Sequence, residues 1–133
     1  MNRLSKHTQI YSDIDIDFTK HPYTKDLAKV TDENSVKQSF LGLLQTNHGE
    51  RPFQPWLASG VNELLFDNMD PATAIMLEYK IEDLITNYEP RIVLHEVNAT
   101  PNYDDNAYDV TIGFSIRGVP SKKEMSLQLE RIR

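Results

Sequence analysis

The fold is decided by one stretch of the chain, DPATAIMLEYKIEDLITNYEPRIVL at residues 70–94, which joins an apolar helix to a strand. Asp70 is a favourable N-cap and Pro71 suits the first helical position, so we predict a helix from Pro71 to Tyr88. Such an apolar helix packs deep in its own domain or shares a surface with another chain. Its apolar residues recur at spacings of three and four, with three more widening the stripe: Ala74, Leu77, Ile81, Leu84 and Tyr88, then Ile75, Tyr79 and Ile85.

Downstream of this helix the pattern changes to the period of two that is typical of strands. Pro90 ends the helix and pushes Glu89 towards an extended conformation. The alternation predicts a small antiparallel sheet of about three strands at the C-terminus. The strands lie at 92–99, 108–117 and 125–129, with a polar turn at 101–106 and a break at 118–121. In the first strand, one face is predicted to hold Val93, Val97 and Ala99, and the other Ile92 and Leu94.

Two shorter helices are predicted upstream. The first covers 33–46, with Thr31 or Asp32 as its cap. The second covers 61–67, with Ser59 as its candidate N-cap. Between them, two prolines predict a rigid extended loop over 51–55. The apolar side of the first helix should hold Val36, Phe40, Leu43 and Leu44.

The domain organisation follows from these elements. Residues 1–30 are predicted to be an N-terminal arm, in which Ile14, Ile16 and Phe18 alternate with aspartates as in a strand. Residues 31–133 are predicted to be a single α+β domain, with the long helix and the two shorter ones packed on one face of the sheet.

Composition narrows the classes of function. The chain has 133 residues, a net charge of −6 and no cysteine. Because nucleic-acid binding draws on basic patches, this acidic chain predicts no nucleic-acid partner. We find neither a signal peptide nor an apolar run long enough for a membrane span, so we expect no membrane association and synthesis in the cytosol. Without cysteine, disulfides and thiolate metal sites are excluded.

No motif for catalysis or metal binding is present. The aspartates at 13, 15 and 17 suggest a calcium loop, but Phe18 and Thr24 stand where an EF-hand needs glycine and glutamate. The four histidines lack zinc spacing, and no carboxyl pair stands in a recognisable motif. We therefore expect no catalytic residue, no metal and no cofactor. The alternative is a peptidoglycan-cleaving enzyme that uses a Glu/Asp pair, which requires one carboxyl with a raised pKa.

Two segments carry unusual chemistry. Gly49-Glu50-Arg51-Pro52-Phe53 combines an acid, a base, a proline and an aromatic ring on a stiff loop. Asn87-Tyr88-Glu89-Pro90-Arg91-Ile92 places opposite charges two residues apart across a proline. In an extended segment those two side chains point the same way. They can pair with another chain as a rigid fork, or with each other as a local surface salt bridge.

These segments resemble the signatures of a known family. Glu89-Pro90-Arg91, after Asn87-Tyr88, resembles a motif of the small baseplate wedge proteins of contractile-tailed bacteriophages. Gly49–Phe53, Pro55 and Leu65–Met69 match the upstream signature of that family in order and spacing, and Tyr11–Asp15 resembles the start of its phage members. The likeness extends from about residue 11 to the C-terminus, and relatives occur in type VI secretion and phage-tail-like particles.

The resemblance implies a structural protein, not an enzyme, although the family is often labelled lysozyme-like. It implies a sheath initiator in the virion tail baseplate, assembled in the host cytoplasm in about six copies per baseplate. Its partners would be the helical core bundle of the wedge, the tail sheath protein and, further, tube or hub proteins. Glu89, Pro90 and Arg91 would contact the core bundle, Glu50, Arg51, Pro52 and Phe53 would form a second contact, and the C-terminal strands would accept a partner strand.

Overall fold

A computed structural model describes residues 10–131. The first nine residues of the predicted arm, and residues 132 and 133, lie outside this range. The described elements are β1 (Ser12–Ile14), β2 (Lys29–Thr31), α1 (Asp32–Gln45), α2 (Val61–Leu65), α3 (Pro71–Tyr88), β3 (Ile92–Asn102), β4 (Ala107–Ile116) and β5 (Val119–Glu130). The mixture of three helices with a C-terminal antiparallel sheet confirms the predicted α+β class. No helix in this range is long and apolar enough to cross a membrane.

The chain divides into two compact units, with the boundary inside α1 between Gln38 and Ser39. In the N-terminal unit, β1 and β2 pair antiparallel. The Gln38 side chain accepts from the backbone N–H of Ile16 and donates to the carbonyl of Ile14. Thr31 or Asp32 was expected to cap α1. Asp32 is the first helical residue, directly after Thr31, and its carboxylate accepts from the backbone N–H of Ile10.

The C-terminal unit is built on α3 and the sheet. Asp70 caps α3 as predicted, because its carboxylate accepts from the backbone N–H of Thr73 at 2.7 Å. The cap of α2 differs from the prediction: Gly60 is the N-cap, and Ser59 Oγ accepts from Val61 N at 3.2 Å. α3 packs along β3. The buried side of α3 comprises Thr73, Ala74, Leu77, Ile81, Leu84 and Ile85.

The three strands β3, β4 and β5 pair antiparallel in that order, and β4 alternates as predicted. Its core side is fully buried, with Tyr108, Val110, Ile112, Phe114 and Ile116 all at 3% exposure or less. The two hairpins are tighter than the sequence suggested, since β3 continues through Asn102 and β5 begins at Val119. Gly118, the second residue of the turn between β4 and β5, has a φ of 86°, which glycine adopts without strain.

The predicted face assignment of β3 was wrong because the strand contains a bulge. The register with β4 shifts between Leu94 and Glu96, which leaves His95 as an extra residue. The bulge returns Val97 and Ala99 to the face of Leu94, so these three oppose the buried residues of β4, whereas Val93 lies on the other face opposite Ser115.

Two isoleucines of α3 test the packing of this helix. Ile81 is fully buried, whereas Ile75 is 51% exposed. We expect Ile81→Ala to lower the free energy of unfolding by about 2–5 kcal/mol, because it removes buried methyl groups and leaves a cavity. The matched control Ile75→Ala should change it by about 0.5 kcal/mol or less. Urea unfolding followed by circular dichroism measures both, and equal losses would show that α3 is packed differently.

Candidate protein-interaction surfaces

The corner between α3 and β3 holds a buried ion pair. Glu89 is the C-cap of α3, and its side chain is 2% exposed. Arg91 Nε donates to Glu89 Oε1 at 2.7 Å, and Arg91 Nη2 donates to Glu89 Oε2 at 2.9 Å. The two opposite charges are therefore paired with each other in a bidentate geometry, with the carboxylate buried and the guanidinium side chain partly exposed. Pro90 is exposed, and the Arg91 side chain keeps 23% of its surface exposed.

The surroundings of Glu89 hold its carboxyl in the ionised form. Burial raises the pKa of Glu89, but hydrogen bonds from the side chains of Arg91 and Ser39, with the charge of Arg91, outweigh burial and bring the pKa below its ordinary value of 4.5. Ser39 lies in the second half of α1, and sequence analysis did not single it out. A general acid of a glycosidase needs the opposite shift, so Glu89 is chemically unsuited to that role.

The loop after α1 is compact and not extended as predicted. Gln54 N donates to Arg51 O, and Leu57 N donates to Gln54 O, so two turns follow one another. Pro52 and Pro55 each occupy the second position of one turn, where their fixed φ favours turn formation. The loop is closed across its base, because Gly49 N donates to Pro55 O at 3.0 Å.

Residues of the same loop have two different roles, one structural and one at the exposed surface. Glu50 supports the structure, since its carboxylate accepts from the backbone N–H of Asn47 at 2.8 Å. Phe53 is 92% exposed, and Trp56, which sequence analysis did not single out, is 64% exposed. A large exposed aromatic side chain on a closed loop is a common feature of binding surfaces. Local sequence gave no signal for Trp56 beyond its position among prolines.

Five of the seven predicted interaction residues border two separate depressions of the surface. Glu89 and Pro90 border a groove of about 620 Å³ between α3 and β3. Arg51, Pro52 and Phe53 border another depression, of about 400 Å³, together with Gln54 and Trp56. The structure thus brings Glu89, Pro90 and Arg91 together, and places the residues of the loop on a surface of their own.

The outer edge of β5 is open. Arg131 N donates to Asn106 O, which continues the β4–β5 register. Because hydrogen-bonded pairs recur at every second residue of an antiparallel ladder, the odd-numbered residues of β5 bond to β4. The outward backbone groups belong to Glu124, Ser126, Gln128 and Glu130, and no hydrogen bond within residues 10–131 reaches them. On the core side of the same edge, Leu127 and Leu129 are only half-buried.

Metal binding has no structural support in the described chain. No group of three or more His, Asp or Glu side chains within residues 10–131 could hold a metal ion. Asp105 and Asp109 do lie close together at the β3–β4 hairpin, but the side-chain amides of Asn102 and Gln128 bridge their carboxylates. This cluster fixes the hairpin by hydrogen bonds.

Comparisons with known proteins give a consistent result. The family model described as baseplate wedge protein gp25 matches residues 30–121. The chain is 40% identical over 122 residues to baseplate wedge protein gp25 of Enterobacteria phage T4, which spans 91% of this chain and 92% of the T4 protein.

Solved structures share the fold at lower identity. A candidate tail lysozyme from Geobacter sulfurreducens is similar with a TM-score of 0.70 and 22% identity, over 76% of this chain and 92% of the other. A chain of the anti-feeding prophage baseplate is similar with a TM-score of 0.63 and 17% identity, over 92% of this chain and 87% of the other. At these identities the likeness shows the fold alone.

The Glu89–Arg91 pair should contribute to stability in a pH-dependent way. We expect Arg91→Ala to lower the free energy of unfolding at pH 7 by about 2 kcal/mol, because it leaves a buried carboxylate without its cation. This is less than the roughly 3–5 kcal/mol of a fully buried pair, since the Arg91 side chain is 23% exposed. Because the pKa of Glu89 is lowered on folding, its stabilising contribution is complete above pH 4.5 and is lost as the pH falls through the folded-state value.

The difference between wild type and Arg91→Ala should therefore shrink below pH 4.5, as measured by urea unfolding at a series of pH values. Lys37→Ala is the control, because Lys37 pairs with Glu33 on the exposed side of α1. Its effect should stay within about 0.5 kcal/mol. An Arg91→Ala effect as small as that of the control would contradict a structural role for the pair.

Proposed function

The chain belongs to the baseplate wedge protein gp25 family, and from this we propose that it docks on the helical core bundle of the wedge and initiates tail sheath assembly. The resemblance found in its motifs is confirmed, and the chain is a baseplate wedge protein of a contractile tail. As such it associates with other baseplate components. Its proposed partners are the core bundle, the first ring of sheath and, further, tube or hub proteins, with about six copies per baseplate assembled in the host cytoplasm.

The observation that carries the sheath proposal is the open edge of β5. An incoming strand would gain main-chain hydrogen bonds from the outward groups of residues 124–130. It would also cover Leu127 and Leu129, which this chain alone leaves half-buried. On the outer face, the neighbours of the incoming side chains would be Glu124 and Glu130, so basic residues suit the partner strand at those positions. The edge therefore favours an amphipathic, basic strand.

The docking proposal is supported by the two surfaces described above. Phe53 and Trp56 offer aromatic area on a closed loop, which reduces the entropy lost on binding. At the α3–β3 corner, Pro90 and the exposed part of Arg91 are the groups that a partner can reach. Glu89 acts there through Arg91, because its carboxylate holds the guanidinium in place. We propose that both surfaces contact other wedge proteins.

A pull-down with the other wedge proteins of the same particle tests the loop. We expect Phe53→Ala to weaken capture by at least about tenfold, because a well-buried aromatic anchor contributes more than 1 kcal/mol to an interface. Its stability should stay within about 0.5 kcal/mol of wild type, since the ring is 92% exposed. The control is Tyr103→Ala, which removes an aromatic ring that is 65% exposed in the β3–β4 turn. Equal capture of the two variants would remove the loop from the interface.

A second experiment tests strand addition at β5. Ser126→Pro removes an outward N–H group that takes no part in the β4–β5 ladder, and proline is tolerated at such edge positions. We expect this variant to fold and to enter wedges, but to start few or no sheaths. Ser126→Ala keeps the N–H group and should start sheaths as wild type does. Electron microscopy of assembled tails counts the sheathed fraction, and normal sheaths on Ser126→Pro baseplates would refute the use of this edge.

A further inference from the structure

The two edges of the sheet differ in how their backbone donors are used. Val110 of β4 forms its backbone hydrogen bonds with β5, so it does not bond to Ala99, which lies opposite it on β3. The N–H group of Ala99 therefore points outward from the sheet. That N–H group is occupied: it donates to Glu78 Oε1 at 2.8 Å. The β3 edge thus has a side chain of α3 where a partner strand would place a carbonyl oxygen.

Other features of β3 also hinder pairing with a partner strand. Pro101 has no N–H group to offer, and Ile92 N donates to Glu89 O at 3.2 Å. The bulge at His95 interrupts the regular spacing between these positions. Prolines, bulges and covering side chains are the means by which proteins keep edge strands from pairing. Of these features, only the contact of Glu78 is made by a side chain, so it can be removed without changing the backbone.

Packing fixes the position of Glu78. It follows Leu77, which is fully buried, and Ile81 on the next turn is fully buried as well. The carboxylate is therefore held beside β3, and a hydrogen bond to a charged acceptor is stronger than one between neutral groups. Glu82 borders the same groove one turn later, but its exposed side chain has no hydrogen bond to β3 in the described chain.

We propose that Glu78 is a specificity-determining residue that closes the β3 edge, so that a partner strand can pair with β5 alone. The closure is a property of the isolated chain. Only the identity of the strand that β5 accepts rests on the proposed function. Without Glu78, the outward N–H group of Ala99 would be free to bond to an extended segment, and in a solution of pure protein that segment is β3 of a second copy.

Amide exchange measured by NMR tests the contact itself. We expect Glu78→Ala to accelerate exchange at Ala99 by about tenfold, the size expected for the loss of a hydrogen bond to a charged acceptor. Glu78→Gln keeps an oxygen that can accept, so exchange should stay within about threefold of wild type. Glu82→Ala removes the same charge from the same groove and should leave Ala99 unchanged. Unchanged exchange in Glu78→Ala would overturn the proposal.

Cross-linking tests the consequence for pairing. The chain contains no cysteine, so Asn98→Cys introduces a single thiol beside Ala99 on β3. In the Glu78→Ala background we expect disulfide-linked dimers under mild oxidation, at a yield at least about threefold above that in the Glu78→Gln and Glu82→Ala backgrounds. Equal yields in all three backgrounds would show that Glu78 does not control this edge. Neither experiment uses the sheath protein. A negative result here would refute closure of the β3 edge, whereas normal sheaths on Ser126→Pro baseplates would refute the proposed use of β5.

Discussion

The ion pair between Glu89 and Arg91 is the interaction on which the orientation of the sheet depends. A carboxylate at the C-terminal end of a helix faces the negative end of the helix dipole, and burial adds a second unfavourable contribution. The bidentate bonds from Arg91 offset both, and Pro90 lies in the turn between the two residues, where Ile92 N donates to Glu89 O. Because β3 begins immediately afterwards at Ile92, and β4 and β5 pair in succession, this corner sets the direction of the whole sheet against α3.

A three-stranded sheet has two edges, and here they are chemically unequal. β3 lies against α3, whose Glu78 accepts from one of its outward donors, whereas no backbone hydrogen bond within residues 10–131 reaches the outward groups of β5. The unequal edges suit a subunit of an assembly, because a sheet that is open at both edges would favour self-association. The half-buried leucines of β5 also favour binding of a partner, because this chain alone does not bury them fully.

Three of the carboxyl groups that could suggest catalysis have structural roles. Glu89 is ionised and paired, Glu50 holds a turn, and Glu78 accepts from a strand. Although burial raises the pKa of Glu89, the hydrogen bonds and charge of Arg91, with a hydrogen bond from Ser39, hold it below its ordinary value. Glycoside hydrolysis instead needs one carboxyl that keeps its proton. The likeness to a candidate tail lysozyme, at 22% identity, shows the fold alone, and the T4 relative is a baseplate wedge protein.

The sequence by itself determined α3 with its Asp70 cap, the alternation of β4 and the antiparallel sheet, because these depend on local propensity and periodicity. The family was indicated by the resemblance of two motifs. The predicted interaction role of Glu89, Pro90, Arg91 and the loop residues stays a proposal. Only the tertiary structure decided that Glu89 pairs inside the chain, that the bulge at His95 reverses the face of Val93, and that Glu78 reaches Ala99. The bulge and the contact of Glu78 depend on strand register and on residues distant in sequence, and the burial of Glu89 beside Ser39 depends on tertiary packing. None of these is encoded in the period of a single segment.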